Sequence, residues 1–216
     1  DLVLTLEGLY SKDINAIVQR NANQVIPTET FQGPDNRVKF PSGTANRRIN
    51  PGISSAMVLD NAKEGHSYSL TMQLTKPFQQ GFFGTLAYTY TMTKDLSANP
   101  GSAANSAWQS NPSINHQNDP ELGFSQFSVP HRIVGAISYN VEYAGHLGTT
   151  FTLFYSGSNQ GRLTYIYSND MNGDGNSADI MYIPKDNSEI EFVDIVSGEE
   201  VVFTADQQRD AFWKYV

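Results

Sequence analysis

Cysteine is absent from this chain of 216 residues, which excludes disulfide scaffolds, thiolate zinc sites and cysteine nucleophiles. Charge is scarce, because Asp, Glu, Lys and Arg make up only 17% of the residues, and 14 basic against 22 acidic side chains give a net charge of −8. This balance excludes the broad basic surface of a nucleic-acid-binding protein. No apolar run approaches the roughly 18 residues of a membrane helix, so a helical membrane protein is excluded as well.

What is present is a repeated alternation of apolar and polar side chains. Tyr68, Leu70, Met72 and Leu74 alternate with serine, threonine and glutamine, which is the period of two that is typical of a β-strand. Five segments have this pattern, and none has the three- and four-residue spacing of a helix. The predicted strands cover residues 2–10, 67–78, 82–92, 132–143 and 147–157. Short turns at 79–81 and 144–146 predict two hairpins.

The remaining connections are very long. Residues 12–66, 95–128 and 158–216 are rich in Asn, Ser, Gly and Pro and are predicted to be irregular polar loops. Only residues 205–216, with apolar side chains at helical spacing, predict a short helix. Several loops of this length are uncommon in a compact soluble domain. Since the chain begins at Asp1 within an alternating pattern, we expect it to be a fragment of a larger protein.

Strand length and side-chain distribution indicate a membrane barrel. A tilted strand of about ten residues spans the roughly 25 Å of outer-membrane hydrocarbon. Aromatic residues near the strand ends suit the two interfacial girdles of such a barrel, and they are Tyr68, Phe78, Phe82, Tyr90, Tyr143 and Tyr155. The sequence therefore predicts an all-β fold, an antiparallel transmembrane β-barrel segment with long extracellular loops and a short loop helix. The alternative is a soluble, secreted, calcium-tuned β-sandwich that acts as a binding module.

One loop resembles a metal-binding motif. Residues 170–179 begin like a calcium loop of the form Asp-x-Asn-x-Asp-Gly, in which side-chain oxygens at alternate positions bind the ion. The candidate ligands are Asp170, Asn172, Asp174 and Asp179. The twelfth position is Met181 rather than glutamate, so a turn held by its own side-chain hydrogen bonds is favoured over a calcium site. No other cofactor is expected.

Catalytic and anion-binding patterns are weak. Ser156, in Tyr-Ser-Gly-Ser-Asn, lacks the Gly-x-Ser-x-Gly elbow of a hydrolase, and the four histidines have no metal-ligand spacing. We therefore expect no enzymatic activity. Arg47 and Arg48 are either an anion site or a solvated pair of loop charges, and the second interpretation is favoured.

A longer set of motifs resembles a known family. Residues 128–139 read Ser-Val-Pro-His-Arg-Ile-Val-Gly-Ala-Ile-Ser-Tyr, and Leu153 begins Leu-Phe-Tyr-Ser-Gly. The Asp-rich turn then precedes Ile-Met-Tyr-Ile-Pro at residues 180–184, and the opening Leu-Val-Leu-Thr-Leu-Glu-Gly-Leu-Tyr matches an earlier strand. Together they resemble the C-terminal part of the barrel in TonB-dependent outer-membrane receptors of Bacteroidetes, in the Oar-like branch.

The resemblance implies a barrel of the roughly 22-strand type that takes up a substrate in the cell outer membrane of a Gram-negative bacterium. Residues 1–216 would be a fragment of this single barrel domain, without the plug and N-terminal domains. The implied partners are outer-membrane lipid, the plug, the TonB energy-transducing complex and an unknown transported substrate. No nucleic acid is expected among the partners.

Overall fold

The computed structural model describes all residues from Asp1 to Val216. Strands and helices follow one another as β1 (Val3–Lys12), β2 (Ala16–Asn21), β3 (Glu29–Thr30), β4 (Val38–Lys39), β5 (Met57–Ala62), β6 (His66–Gln79), β7 (Phe82–Asp95), α1 (Ala104–Gln109), β8 (Gly123–Phe124), β9 (His131–Tyr143), β10 (Leu147–Ser158), β11 (Ile195–Ser197), β12 (Glu200–Phe203) and α2 (Ala205–Tyr215). The two helices have 6 and 11 residues, and neither is a candidate membrane span.

Five long strands form a single antiparallel wall in the order β1-β6-β7-β9-β10. These are the five strands that the alternation predicted, with ends that differ from the predicted ones by at most three residues. Short strand β8 extends the ladder by pairing with the end of β7. The wall is open, because β1 and β10 each pair along one edge only.

Both predicted hairpins are present, and left-handed residues close them. The first turn consists of Gln80 and Gly81 alone, with φ angles of 53° and 81°, which suits the two-residue turn that matches strand twist. A Cβ atom at position 81 would lie 2.5 Å from the carbonyl oxygen of Asn140 on β9, so this position requires glycine. In the second turn, Ala144 and Gly145 have φ angles of 55° and 70°.

One face of the wall is predominantly apolar, with Lys12, Lys76 and Lys94 on it toward the strand ends. Register places Leu6, Met72, Tyr88 and Ile133 in one row across four strands, and the side chains of Leu6 and Met72 are 68% and 54% exposed. No residue of the five wall strands belongs to the buried apolar core. The β-sandwich alternative needs a second sheet packed against this face, so that prediction is wrong.

The opposite face carries ladders of hydroxyl groups. Thr71 and Thr89 are joined by an Oγ1···Oγ1 hydrogen bond of 3.0 Å, and Ser138 and Thr152 by an Oγ···Oγ1 hydrogen bond of 2.9 Å. Such cross-strand threonine and serine pairs stabilise neighbouring strands by a few tenths of a kcal/mol up to about 1 kcal/mol each. The wall therefore separates an apolar side from a polar side with few charges.

The long connections contain more regular structure than the sequence predicts. Strands β2 and β5 pair with each other and continue the β1/β6 ladder beyond a break at Asp13 and Gly65. Helix α1 lies inside the connection predicted as loop, and its Ala107 and Trp108 are buried. The prediction of wholly irregular loops is therefore wrong for these segments, because tertiary packing overrides their weak local preferences.

Two compact units make up the chain, residues 1–29 with 38–181 and residues 30–37 with 182–216. In the second unit, β11 and β12 form a hairpin, and α2 confirms the predicted helix. Thr204 caps this helix, since its Oγ1 accepts from the backbone N–H of Gln207 at 3.2 Å. The ring of Phe212 packs on Phe192 at a centroid distance of 5.7 Å.

Candidate functional site

At the end of the wall where the long connections meet, the first unit has a polar interior. We call residues 21–24, 47–50, 108–118 and 170–179 the polar loop cluster. Asparagine side chains replace secondary structure here: Asn23 donates through Nδ2 to the carbonyl of Ile53 at 2.7 Å and accepts through Oδ1 from Asn50 N–H at 2.8 Å. Buried backbone N–H and C=O groups need hydrogen-bond partners. The asparagine amides supply these partners, so segments without regular secondary structure can be buried.

The cluster joins loops that lie far apart in sequence. Asn118 accepts through Oδ1 from the backbone N–H of Asn21 at 2.7 Å and from the indole N–H of Trp108 at 2.9 Å. Its Nδ2 also donates to the carbonyl of Asn21 at 2.9 Å. One amide side chain thus fixes helix α1 against the end of β2.

Residues 170–179 form a turn built on carboxylate and amide acceptors. Asp170 accepts from the backbone N–H of Gly173 at 2.7 Å through Oδ1 and from that of Gly175 at 2.8 Å through Oδ2. Asn172 accepts from Asp174 N–H at 2.9 Å. Gly173 and Gly175 have φ angles of 83° and 101°, a region that favours glycine.

Arg47 is the partner of this turn. Its Nη1 donates to Asp170 Oδ2 at 3.0 Å and to the carbonyl oxygen of Gly173 at 2.9 Å. The two charged side chains are 21% and 29% exposed, so both are largely shielded from water. Arg47 is thus neither an anion site nor a solvated loop charge, and the interpretation favoured from sequence is wrong for this residue.

The structure brings all four predicted metal ligands into this one turn. Asp179 is fully buried and accepts from the backbone N–H of Met171 at 2.7 Å. Each ligand residue accepts at least one backbone N–H, which is the hydrogen-bonded turn that the sequence favoured. The positive charge of Arg47 also neutralises Asp170, as a bound cation would. No group of three or more acidic or histidine side chains has the geometry to hold a metal ion, and calcium binding stays a prediction.

Asp174 lies in an unfavourable position for a negative charge. It is 6% exposed, and its Oδ1 accepts from Asn176 N–H at 2.7 Å. Burial raises the pKa of this carboxyl to about 7, and the neighbouring Asp179 and Asp170 carboxylates add to the rise. This group therefore changes its charge near neutral pH.

We expect the turn to lose stability as the pH rises from 3.8 to about 7. In that window the folded state keeps the Asp174 proton and the unfolded state releases it, so stability falls by up to about 1.4 kcal/mol per pH unit and then levels off. Hydrogen exchange of residues 170–181 in the full-length protein, corrected for intrinsic rates, should show weaker protection at pH 8 than at pH 5. Asp174→Asn should remove this dependence.

A matched control is available in the second unit. Asp186 is exposed, and hydrogen bonds from Ser188 hold its pKa below the usual range. Asp186→Asn should leave the pH dependence of residues 170–181 unchanged. Equal protection at both pH values in the unaltered protein contradicts the assignment.

Several residues of the cluster have no signal in the sequence. Gln117, 1% exposed, accepts through Oε1 from the Nδ2 of Asn176 at 2.9 Å, and Gln24 is 6% exposed. Neither belongs to a motif. Their only signal is the excess of amide side chains in the long connections.

Comparison with known proteins agrees with the wall. A family model described as "Outer membrane beta barrel domain" matches residues 1–173, which include the five wall strands and most of the polar loop cluster. The curated proteins and the solved structures contain no significant match to this chain. With an apolar face open to lipid and a family match over most of its length, the chain belongs to the outer membrane beta barrel domain family and is located in the outer membrane of a Gram-negative bacterium.

Proposed function

We propose that this chain forms part of the wall and the extracellular mouth of a TonB-dependent receptor of the Oar-like branch in Bacteroidetes. The receptor takes up a substrate through a barrel of the roughly 22-strand type. The observation that supports the proposal is the pairing of a lipid-facing wall with large polar connections at one end and turns of two or three residues at the other. Bacterial barrels keep short turns on the periplasmic side and long loops outside.

The motif that resembles these receptors lies at the junction of wall and loops. Pro130 immediately precedes β9, where a missing N–H does not interrupt the ladder, and its carbonyl accepts from Thr91 N–H at 2.9 Å. The Nδ1 atom of His131 shares a hydrogen bond of 2.7 Å with the hydroxyl of Tyr88. The ring centroids of His131 and Tyr90 are 5.3 Å apart. Tyr90 and His131 pair with each other on the side of the Met72 row that faces the loops, and aromatic groups toward that end of the wall suit the interface between lipid and water.

In this proposal the chain has no catalytic role and needs no cofactor for uptake. The wall contacts outer-membrane lipid, and the polar loop cluster meets the substrate. A plug domain and the TonB complex act through segments other than these 216 residues.

Genetic epistasis tests the energy source. The source bacterium is compared with strains that lack this gene, the TonB gene or both, and depletion of ferric chelates, vitamin B12, peptides and oligosaccharides from the medium is measured. Uptake of at least one compound should fall about equally in all three strains, because both proteins serve one pathway. Uptake that needs this gene but persists without TonB identifies a passive channel and overturns the proposal.

The mouth is tested by a loop deletion. Replacing residues 97–118 with a short Gly-Ser linker removes α1 but keeps β7 and β9, so the protein should still reach the outer membrane while uptake is lost. Inserting the same linker between Ala144 and Gly145, in the short turn, should preserve uptake. Normal uptake after the loop deletion contradicts the role of the mouth.

A further inference from the structure

Basic side chains form a row across the apolar face of the wall, at the end that carries the long loops. Strand register places Lys12 of β1 beside His66 of β6, and His66 beside Lys94 of β7. On β6, His66 is an even number of residues from Met72, so the row points to the same side as the apolar residues. This side of the wall faces lipid.

Arg162 extends the row through a shared aromatic ring. Phe124 of β8 pairs with Lys94, and the Nζ atom of Lys94 lies 5.0 Å from the centroid of its ring. The guanidinium carbon of Arg162 lies 3.7 Å from the same centroid. Cations over an aromatic ring are attracted by its π-electrons, so Phe124 holds both of them at this edge. We call Lys12, His66, Lys94 and Arg162 the basic row.

The positive charge of the basic row is not neutralised within the protein. None of Lys12, Lys94 and Arg162 forms an ion pair with a carboxylate. Asp95 follows Lys94 on β7, so alternation turns it to the opposite face. Glu121 lines a cavity together with Arg162, but its Oε1 already accepts a side-chain amide at 3.0 Å. The basic row is therefore a local excess of positive charge in a chain with a net charge of −8.

The two ends of the apolar face differ in charge. At the end with the short turns, Lys76 is the single basic side chain that the five wall strands place on this face. One lysine at a strand end is explained by its long stem, which reaches from the apolar surface to water. That explanation does not require several cations side by side at the other end.

The depth of the basic row corresponds to the headgroup layer of the membrane. Met72 is at the centre of β6, and His66 is six residues away from it. Six residues of strand extend about 20 Å, which is about 14 Å along the membrane normal at a tilt of 45°. Half of the hydrocarbon layer is about 12–13 Å thick, so the row lies just beyond the acyl chains.

The residues next to the basic row show which kind of anion fits. Towards the centre of the wall it is followed by Tyr10, Tyr68 and Met92, and then by Leu70. Tyr10 and Leu70 are 70% and 58% exposed. A soluble anion would contact the basic row alone, whereas an anion that carries acyl chains also covers these apolar side chains. An amphipathic anion therefore fits the surface better.

The direction of the loops selects the leaflet. Short turns face the periplasm and long loops face outside in bacterial barrels, so the basic row lies in the outer leaflet. In Gram-negative bacteria this leaflet consists mainly of lipopolysaccharide, whose lipid A anchor joins phosphate groups and acyl chains on one sugar core. Lysine and arginine clusters at a membrane surface bind such anionic headgroups, and a guanidinium matches the geometry of a phosphate.

We propose that the basic row binds the phosphate groups of lipid A, while the acyl chains of the same molecule cover Tyr10, Tyr68 and Leu70. The strands of Lys12 and Lys94 are separated by one strand and lie about 10 Å apart, so both long side chains can reach one headgroup. The proposal is independent of TonB-driven uptake, because it concerns the lipid that surrounds the wall.

Native mass spectrometry of the full-length protein in an amine-oxide detergent tests the site. Bisphosphorylated lipid A is titrated and should form a saturable complex. Each basic side chain near an anionic lipid surface strengthens binding about fivefold, so the double variant Lys12→Gln with Lys94→Gln should weaken lipid A binding by about tenfold or more. Arg162→Gln alone should weaken it by about fivefold. Since Arg162 lies outside the strands, this variant provides the test even if the double variant does not fold.

Three controls accompany the titration. Lys76→Gln makes the same chemical change on the same face at the opposite end and should leave the affinity for lipid A unchanged. Lipid A without its phosphate groups should bind the unaltered protein about tenfold more weakly or worse. Soluble glucosamine-1-phosphate should show no saturable binding, because it has no acyl chains to cover the apolar side chains.

Four results overturn the proposal. Lipid A that forms no saturable complex shows that the basic row meets only solvent and bulk lipid. Binding that neither the double variant nor Arg162→Gln weakens places the lipid elsewhere. An equal loss in Lys76→Gln shows a general attraction to positive charge. Saturable binding of glucosamine-1-phosphate that requires Lys94 makes the basic row a site for a soluble anion.

Discussion

Replacing Met72 by arginine is expected to destabilise the membrane-inserted protein by about 2–4 kcal/mol, the usual cost of a basic side chain at the bilayer midplane of a barrel. Met72 lies at the centre of β6, and its side chain is 54% exposed on the apolar face. Its neighbour Leu6 offers no partner for a charge, and the hydroxyl of its other neighbour, Tyr88, is already bonded to His131. Leu153, 71% exposed on β10, should respond to arginine in the same way.

The adjacent residue supplies the control. Thr71 points to the hydroxyl-bearing face, where it bonds to Thr89 at 3.0 Å, and a long charged side chain there reaches water. Thr71→Arg should therefore reduce the free energy of unfolding by much less than Met72→Arg does. Reversible unfolding of the full-length protein by guanidinium in lipid vesicles measures both free energies, and equal losses on the two faces refute the orientation of the wall.

Asp170→Ala is expected to produce the second largest loss, about 2 kcal/mol of local stability in the turn at residues 170–179. The substitution removes the acceptor of two backbone N–H groups and the partner of the partly buried Arg47. Hydrogen bonds to charged groups contribute about 1.5–3 kcal/mol, and the partial exposure of this pair keeps the estimate near the lower end. Limited proteolysis of the full-length protein should show faster cleavage within residues 159–181.

Asp186→Ala tests the specificity of that loss. Asp186 also accepts two hydrogen bonds, both from Ser188, but it is exposed to solvent, so water replaces the lost partners. Its removal should leave cleavage at residues 159–181 unchanged. Unchanged cleavage in Asp170→Ala as well shows that the turn does not depend on its acceptor.

The wall was predictable because its signal is local. A strand between lipid and water must alternate its side chains, and Tyr68 to Leu74 show this without reference to any other segment. The hairpins follow from adjacent alternating runs and a short turn. The strand ends were less predictable, since the β7 ladder continues to Asp95 through its pairing with β8, a contact between residues 28 or more positions apart.

The polar loop cluster was not predictable, because its partners lie far apart in the sequence. Arg47 and its partner Asp170 are 123 positions apart in the sequence, and Asn118 and Asn21 are 97 positions apart. Asparagine and arginine in a loop have the same local preference whether they are solvated or buried. Only the Asp-rich turn was predictable from local sequence, because the spacing of glycine and carboxylate residues within residues 170–175 determines its hydrogen bonds.

The length of β6 and β7 has a consequence for how this protein can change over evolutionary time. Each has 14 residues, about 46 Å of extended chain, which covers roughly 33 Å of membrane normal at a 45° tilt against a hydrocarbon layer of about 25 Å. The surplus lifts the loop-bearing rim clear of the acyl chains. Substitutions in that rim carry no penalty for insertion into lipid, so binding preferences can diversify while membrane anchorage stays constant.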